Sequence, residues 1–192
     1  MAEDGVAALT MTRLAKAMAI QPPSLYKYFS SALAVQDALF RRGQQENLDV
    51  LGAAMASSGP GLARVEAGMQ AAGRWAVGNP VLAQLLFWRP VPSYTPSADA
   101  LAPTIEIVRL LRDALGEAVD LGEVGPDATT DEAMFLLSSM HFGIISQHLA
   151  NDVASDWAHG RYTRLHTRVV PLFATAYPPI TEGASDRRRR VR

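Results

Sequence analysis

Apolar residues recur along this chain at intervals of three and four, the rhythm of one face of an α-helix. Ile105, Val108, Leu111, Leu115 and Val119 predict a helix beginning near Pro103. Leu62, Val65, Met69, Ala72 and Trp75 predict another, ending near Gly78-Asn79-Pro80, where a glycine and then a proline stop helical growth. A third, capped by Thr130 or Asp131, runs through MFLLSSMHFGIISQHLA and is apolar around most of its circumference, so several sides of it need cover. A last helix is expected from about Asp156 to Tyr177, with Tyr162, Leu165, Val169, Leu172 and Ala176 in register. Pro171 would kink it and Pro178-Pro179 would end it. Loops are expected at residues 57–61, 89–99 and 121–130.

No run alternates apolar and polar residues as a half-buried strand would, and no internal repeat is visible. The pattern therefore predicts an all-α chain of about eight helices.

The first fifty residues differ in texture. Thr10 is placed to cap a short helix, MTRLAKAMA, with Met11, Leu14, Ala15 and Met18 turned inward. After a break of about three residues, Gln21 precedes Pro22 and Pro23. Proline suits the first turn of a helix because its φ is already helical and the missing N–H had no intrahelical partner. In the helix so opened, Leu25 and Phe29 share a face and should pack inward, leaving Pro22, Pro23, Tyr26 and Lys27 outward. Two short helices joined by a tight turn, the second presenting its N-terminal end, form the helix-turn-helix that enters a DNA major groove.

The run GVAALTMTRLAKAMAIQPPSLYKYFSSALAVQDALF resembles the DNA-binding region of the tetracycline-repressor (TetR/AcrR) family of bacterial regulators. Gly5-Val6, Thr10, Leu14-Ala15, Ala17, Leu25-Tyr26 and Tyr28-Phe29 carry the resemblance over about 35 residues. It implies that Tyr26 and Tyr28 contact phosphates, that Gln21, Pro23, Ser24 and Lys27 lie near base edges, and that Thr10 and Pro22 belong to the same surface. Three departures stand out. The family's turn glycine is Ala19, which predicts strain or an altered turn there. Its Lys-Glu after the phenylalanine reads Ala32-Leu33. Its bracing first helix would need about fifteen residues ahead of Gly5, where four stand, so that helix is expected to be truncated.

The resemblance also implies a helical effector-binding and dimerisation domain, giving a division into residues 1–46, 47–180 and a basic, disordered tail at 181–192. Residues 130 to 178 would supply a four-helix dimer interface, and Gly143 would allow close helix approach. The segment MHFGIISQHLA further resembles the Trp/His-Gly stretch of the WHG subclass of these regulators. Met69, Trp75, Phe87, Trp88, Met134, Met140 and His141 are the candidates for lining a pocket for a small apolar or aromatic effector, Trp88 foremost.

Charge sharpens this division. Residues 1–50 carry five basic and five acidic side chains, residues 51–186 eight and fourteen, and the terminal RRRRVR five arginines. With no cysteine, disulfides and thiolate metal sites are excluded. No apolar run approaches the ~20 residues that cross a bilayer, and the acidic start, MAEDGVAALT, is unlike a signal peptide. A cytoplasmic location without membrane association is expected.

His141 and His148 are seven apart, as are His159 and His166, so each pair shares a helical face. Without a nearby carboxylate pair, and at that spacing, surface or interface histidines are a better reading than a metal site. No cofactor or catalytic constellation is indicated. The expected function is that of a ligand-responsive repressor binding a pseudo-palindromic DNA operator as a homodimer. The alternatives are a dimeric small-molecule binder with an impaired head and a histidine-metal helical enzyme.

Overall fold

The computed structural model describes residues 10–88, 91 and 94–180. Gly5-Val6, Arg89-Pro90 and the arginine-rich tail lie outside the described residues. Eight α-helices follow in order: α1 Met11–Ala17, α2 Pro22–Tyr26, α3 Ala32–Ala56, α4 Leu62–Gly78, α5 Pro80–Trp88, α6 Ala98–Asp120, α7 Asp131–Asn151 and α8 Val169–Ala176. Two 3-10 segments, Pro126–Thr129 and Thr163–Arg168, sit before α7 and α8. No strand occurs among the described residues, and none of their helices is long and apolar enough to cross a membrane. The chain is all-α, as its periodicity predicts.

Side-chain caps set four of the starts. Thr10 accepts a hydrogen bond from the Arg13 N–H at 3.2 Å, Ser31 from Ala34 at 3.1 Å, Ser97 from Ala100 at 3.2 Å and Thr130 from Ala133 at 3.3 Å. Each satisfies an N–H that the first helical turn leaves open. Thr130 rather than Asp131 is thus the cap of α7. Ser31 starts α3 without the acidic residue that the family pattern places there.

The body is built on α3, which packs most extensively against α4 and α6. A central apolar cluster joins Leu51 and Met55 of α3 to Val65 and Met69 of α4, Leu115 of α6, Leu137 of α7 and Phe173 of α8. A second, around Phe40, Trp75, Leu85, Leu86 and Ile145, lies towards the head. A small third cluster, Met11, Ala15, Leu25 and Val35, holds the head together. Because α3 runs unbroken through residues 46 and 47, head and body share one rigid element.

Several sequence expectations change. α6 starts at Ala98, so Pro103 lies inside it, buried. The face that α6 buries is one of small residues, Ala100, Ala114 and Ala118 beside Leu115, whereas Ile105 is 67% exposed. The expected helix over 156–177 exists only from Val169, after a 3-10 turn. Upstream, the Asp152 carboxylate accepts hydrogen bonds from the Arg161 N–H at 2.6 Å and the Ser155 hydroxyl at 3.0 Å, stabilising a compact turn instead. The buried residues there are Thr163, His166, Val169, Val170 and Phe173, leaving Leu165 and Leu172 exposed. Pro171 falls in the first turn of α8, where its missing N–H had no intrahelical partner.

Candidate functional site

In the head, α1 and α2 pack through Ala15 and Leu25 onto Val35 of α3, with Leu14 and Phe29 partly buried beside them. Met18 does not join them, being 55% exposed. The turn between the helices passes through Ala19 at φ +54°, a left-handed conformation that costs a residue with a Cβ about 1–2 kcal/mol. A glycine would adopt it freely. Gln21 makes no side-chain capping bond, and Pro22 and Pro23 occupy the first two positions of α2.

On the outer side of that helix Tyr26 and Tyr28 are exposed, Tyr28 at 81%. Thr10, Gln21, Pro23 and Lys27 are exposed as well, and Pro22 and Ser24 half-buried. Leu25 is thus buried on α2, while Tyr26 beside it and Lys27 and Tyr28 at and just past its end are exposed. Phenol hydroxyls and an ammonium on an exposed surface can bond phosphate oxygens, while proline rings offer apolar contact to a base methyl.

Behind the head, α3 to α7 line a partly open cavity of about 580 Å³, a size usual for small-molecule sites. Its walls are mainly apolar: Leu51 of α3, Met69 of α4, Phe87 of α5, Leu111 of α6 and Met134 and Phe142 of α7. Of the sequence candidates, Met69, Phe87, Met134 and His141 line it. Trp75 packs instead in the second apolar cluster, and Met140 lies against the central one. Trp88 is exposed and donates its indole N–H to the Ser146 hydroxyl at 3.2 Å. An open, charged groove of similar volume lies over Asp37, Arg41, Arg42 and Asp99, outside the body.

The polar residues of the cavity are ones that periodicity passes over. Gln44 and Asn47 of α3 and Thr104 and Ser138 of α6 and α7 line it with His141. Asn47 Oδ1 and Thr104 Oγ1 are buried with no hydrogen-bond partner, which costs about 1–3 kcal/mol per group. Their sequence signal was a polar residue within an otherwise inward-facing stripe. The charged pair at the wall, Arg112 and Asp131, is joined at 2.6 Å.

Three histidines are buried rather than superficial: His141, His148 and His166. His141 Nδ1 and His166 Nε2 are hydrogen-bonded at 2.7 Å. Burial, with the neighbouring His166, pushes His141 down to about 3. Burial, with the Arg74 cation, pushes His166 down to about 4. Both rings are therefore neutral at pH 7. His159 stays apart on the surface, paired with Asp156 at 2.8 Å, so the four histidines are not gathered into one site. Among the described residues no three histidines, aspartates or glutamates are grouped as metal ligands.

Residues 65–170 match the family model described as "Tetracyclin repressor-like, C-terminal domain". The chain belongs to this tetracyclin repressor-like family. The match lies wholly in the body, from α4 into α8, and does not itself assign the WHG subclass.

Solved structures agree on the fold across both head and body. A protein with unknown function from Rhodococcus sp. RHA1 superposes with a TM-score of 0.73 at 20% identity, over 92% of this chain and 88% of its own. The putative regulatory protein SCO4313 gives 0.67 at 22% identity, over 90% and 88%. The fatty acid degradation regulator FadR from Bacillus halodurans gives 0.66 at 18% identity, over 90% and 91%. No curated protein is matched. The tetracyclin repressor-like body thus carries a helix-turn-helix head at one end and an apolar cavity at its centre.

Proposed function

We propose that this chain is a one-component transcriptional repressor that binds a pseudo-palindromic operator as a homodimer and releases it when a small molecule fills the cavity. The observation that carries the reading is the shared helix α3. Val35 at one end of it is core to the head, while Asn47 and Leu51 further along line the cavity. Twelve residues separate Val35 from Asn47, roughly 18 Å at the helical rise. A shift of α3 at the cavity therefore moves the outward surface of Tyr26, Lys27 and Tyr28 as a rigid lever. Release follows if the ligand binds better to the conformation whose two heads no longer match successive major grooves.

Dimerisation is supported by apolar residues that the single chain leaves uncovered. Phe135 is 69% exposed on α7, with Leu136 also exposed, and Leu165 and Leu172 are exposed on and before α8. A Cβ placed on Gly143 of α7 would meet nothing within 4 Å, so the backbone there is open to a close neighbour. Such a surface is covered economically by a second copy. No catalytic step belongs to this reading.

The deciding experiment is a mobility shift with DNA from immediately upstream of the reading frame. A complex that resists excess nonspecific competitor is expected. Its absence, with a cavity that still takes up ligand, would leave a dimeric small-molecule binder as the better reading.

A further inference from the structure

We propose that the effector is an uncharged, mainly apolar compound bearing one or two hydrogen-bonding oxygens, such as an alcohol, ketone or ester, and not a carboxylate or other ion. This rests on the reading of the cavity as the effector site and specifies its chemistry.

The first support is that, among the described residues, the cavity wall carries no unpaired charge. The ions that line it there, Arg112 and Asp131, pair with each other at 2.6 Å. A carboxylate taken from water into the apolar interior would meet no unpaired cation among these residues, and burying it unpaired is strongly unfavourable. The second support is a set of neutral polar groups built into the wall. Gln44, Asn47 and His141 line the cavity, none more than 6% exposed. Asn47 Oδ1 and Thr104 Oγ1 lack partners, and they come from α3 and α6, which pack side by side. A ligand hydroxyl can donate to the Asn47 carbonyl, and a ligand oxygen can accept from the Thr104 hydroxyl.

His141 adds a donor. His166 Nδ1 is buried without a partner. An unpartnered lone pair there is less costly than an unpartnered N–H, so the proton of His166 sits on Nε2 and is donated to His141 Nδ1. The neutral His141 ring then carries its own proton on Nε2. That N–H suits a carbonyl or ether oxygen. The aromatic rings of Phe87 and Phe142, 4.5 Å apart, supply an apolar contact surface.

Isothermal titration calorimetry on the full chain at pH 7.5 tests this with four probes: dodecan-1-ol, dodecan-2-one, dodecanoate and naphthalene. The alcohol and the ketone should bind at least about tenfold more tightly than dodecanoate. Thr104→Val, close to isosteric, should weaken the two neutral oxygenated probes by about fivefold and leave naphthalene unchanged. Asn47→Leu is the second variant, with the same expectation for the alcohol. Dodecanoate binding as tightly as the alcohol would overturn the uncharged class while leaving the cavity an effector site. Equal losses for naphthalene in both variants would overturn the hydrogen-bonding assignment. No binding of any probe, by protein that still shifts operator DNA, would overturn the proposal but not the regulator reading.

Discussion

The carboxylate of Asp37 accepts hydrogen bonds from both the backbone N–H and the hydroxyl of Ser97, at 2.9 and 2.6 Å, and thereby ties α3 to the N-cap of α6. The Tyr94 hydroxyl donates to the same carboxylate at 3.0 Å. Since α3 carries the head and α6 a wall of the cavity, this contact is a natural coupling between them.

Asp37→Ala should cost about 1–2 kcal/mol of stability in urea unfolding and weaken the effect of a ligand on DNA binding more than DNA binding itself. Burial opposes ionisation of Asp37, but the bonds from Ser97 and Tyr94 outweigh it and hold the carboxyl below its ordinary 3.8. A depressed folded value means the contribution is present above pH 3.8 and is lost as pH falls through the folded value. The variant should lose that acid-range dependence.

The His141–His166 pair makes a separate pH prediction. Both rings have folded values well below the unfolded 6.5. The unfolded chain therefore binds more protons as pH falls below 6.5, and stability should drop steadily towards pH 4, by up to about 1.4 kcal/mol per pH unit per ring. Urea melts at pH 5, 6 and 7 should show that slope, and His166→Phe should flatten it. A slope unchanged by the substitution would mean that the ring is not kept neutral.

Ala19→Gly should stabilise the head. Removing the Cβ from a residue at φ +54° relieves more strain than the added chain freedom of glycine costs, a net gain of up to about 1 kcal/mol. Hydrogen exchange of α1 and α2 amides should slow, with operator affinity unchanged or higher.

The uncovered apolar surface should be the dimer seam. Leu136→Arg with Leu172→Arg, both at exposed positions, should shift the sedimentation coefficient from dimer to monomer without lowering helix content. A dimer that survives both substitutions would place the seam elsewhere.

On the head, Tyr26→Phe should weaken binding to all DNA sequences about equally, because phosphate contacts position without reading sequence. Lys27→Ala and Gln21→Ala should change the preference among operators. Competition shifts with a panel of operator variants separate the two behaviours.

Much was legible along the chain because it is written locally. Thr10 and Thr130 cap helices through bonds reaching three residues, Pro22 and Pro23 open one through their own ring geometry, and Leu25 and Tyr26 divide inside from outside within one turn. The strained turn at Ala19 follows from the absence of a glycine. Local rhythm misassigned the face of α6, where Ile105 is exposed and small alanines are buried, and the segment at Tyr162 and Leu165, where the bonds to Asp152 favour a turn. A periodic stripe reports that one face is apolar, but which neighbour covers it depends on elements far away in sequence.

The all-helical chain, its helix-turn-helix and the outward tyrosines follow from local rules, because caps, prolines and three-four spacing act within a few residues. That Asn47, Thr104 and His141 share one cavity, that three of the four histidines are buried, and that Asp37 meets Ser97 follow from long-range packing. Those contacts join residues about 25 to 95 positions apart, and only the packing of elements distant in sequence brings them within reach of one another.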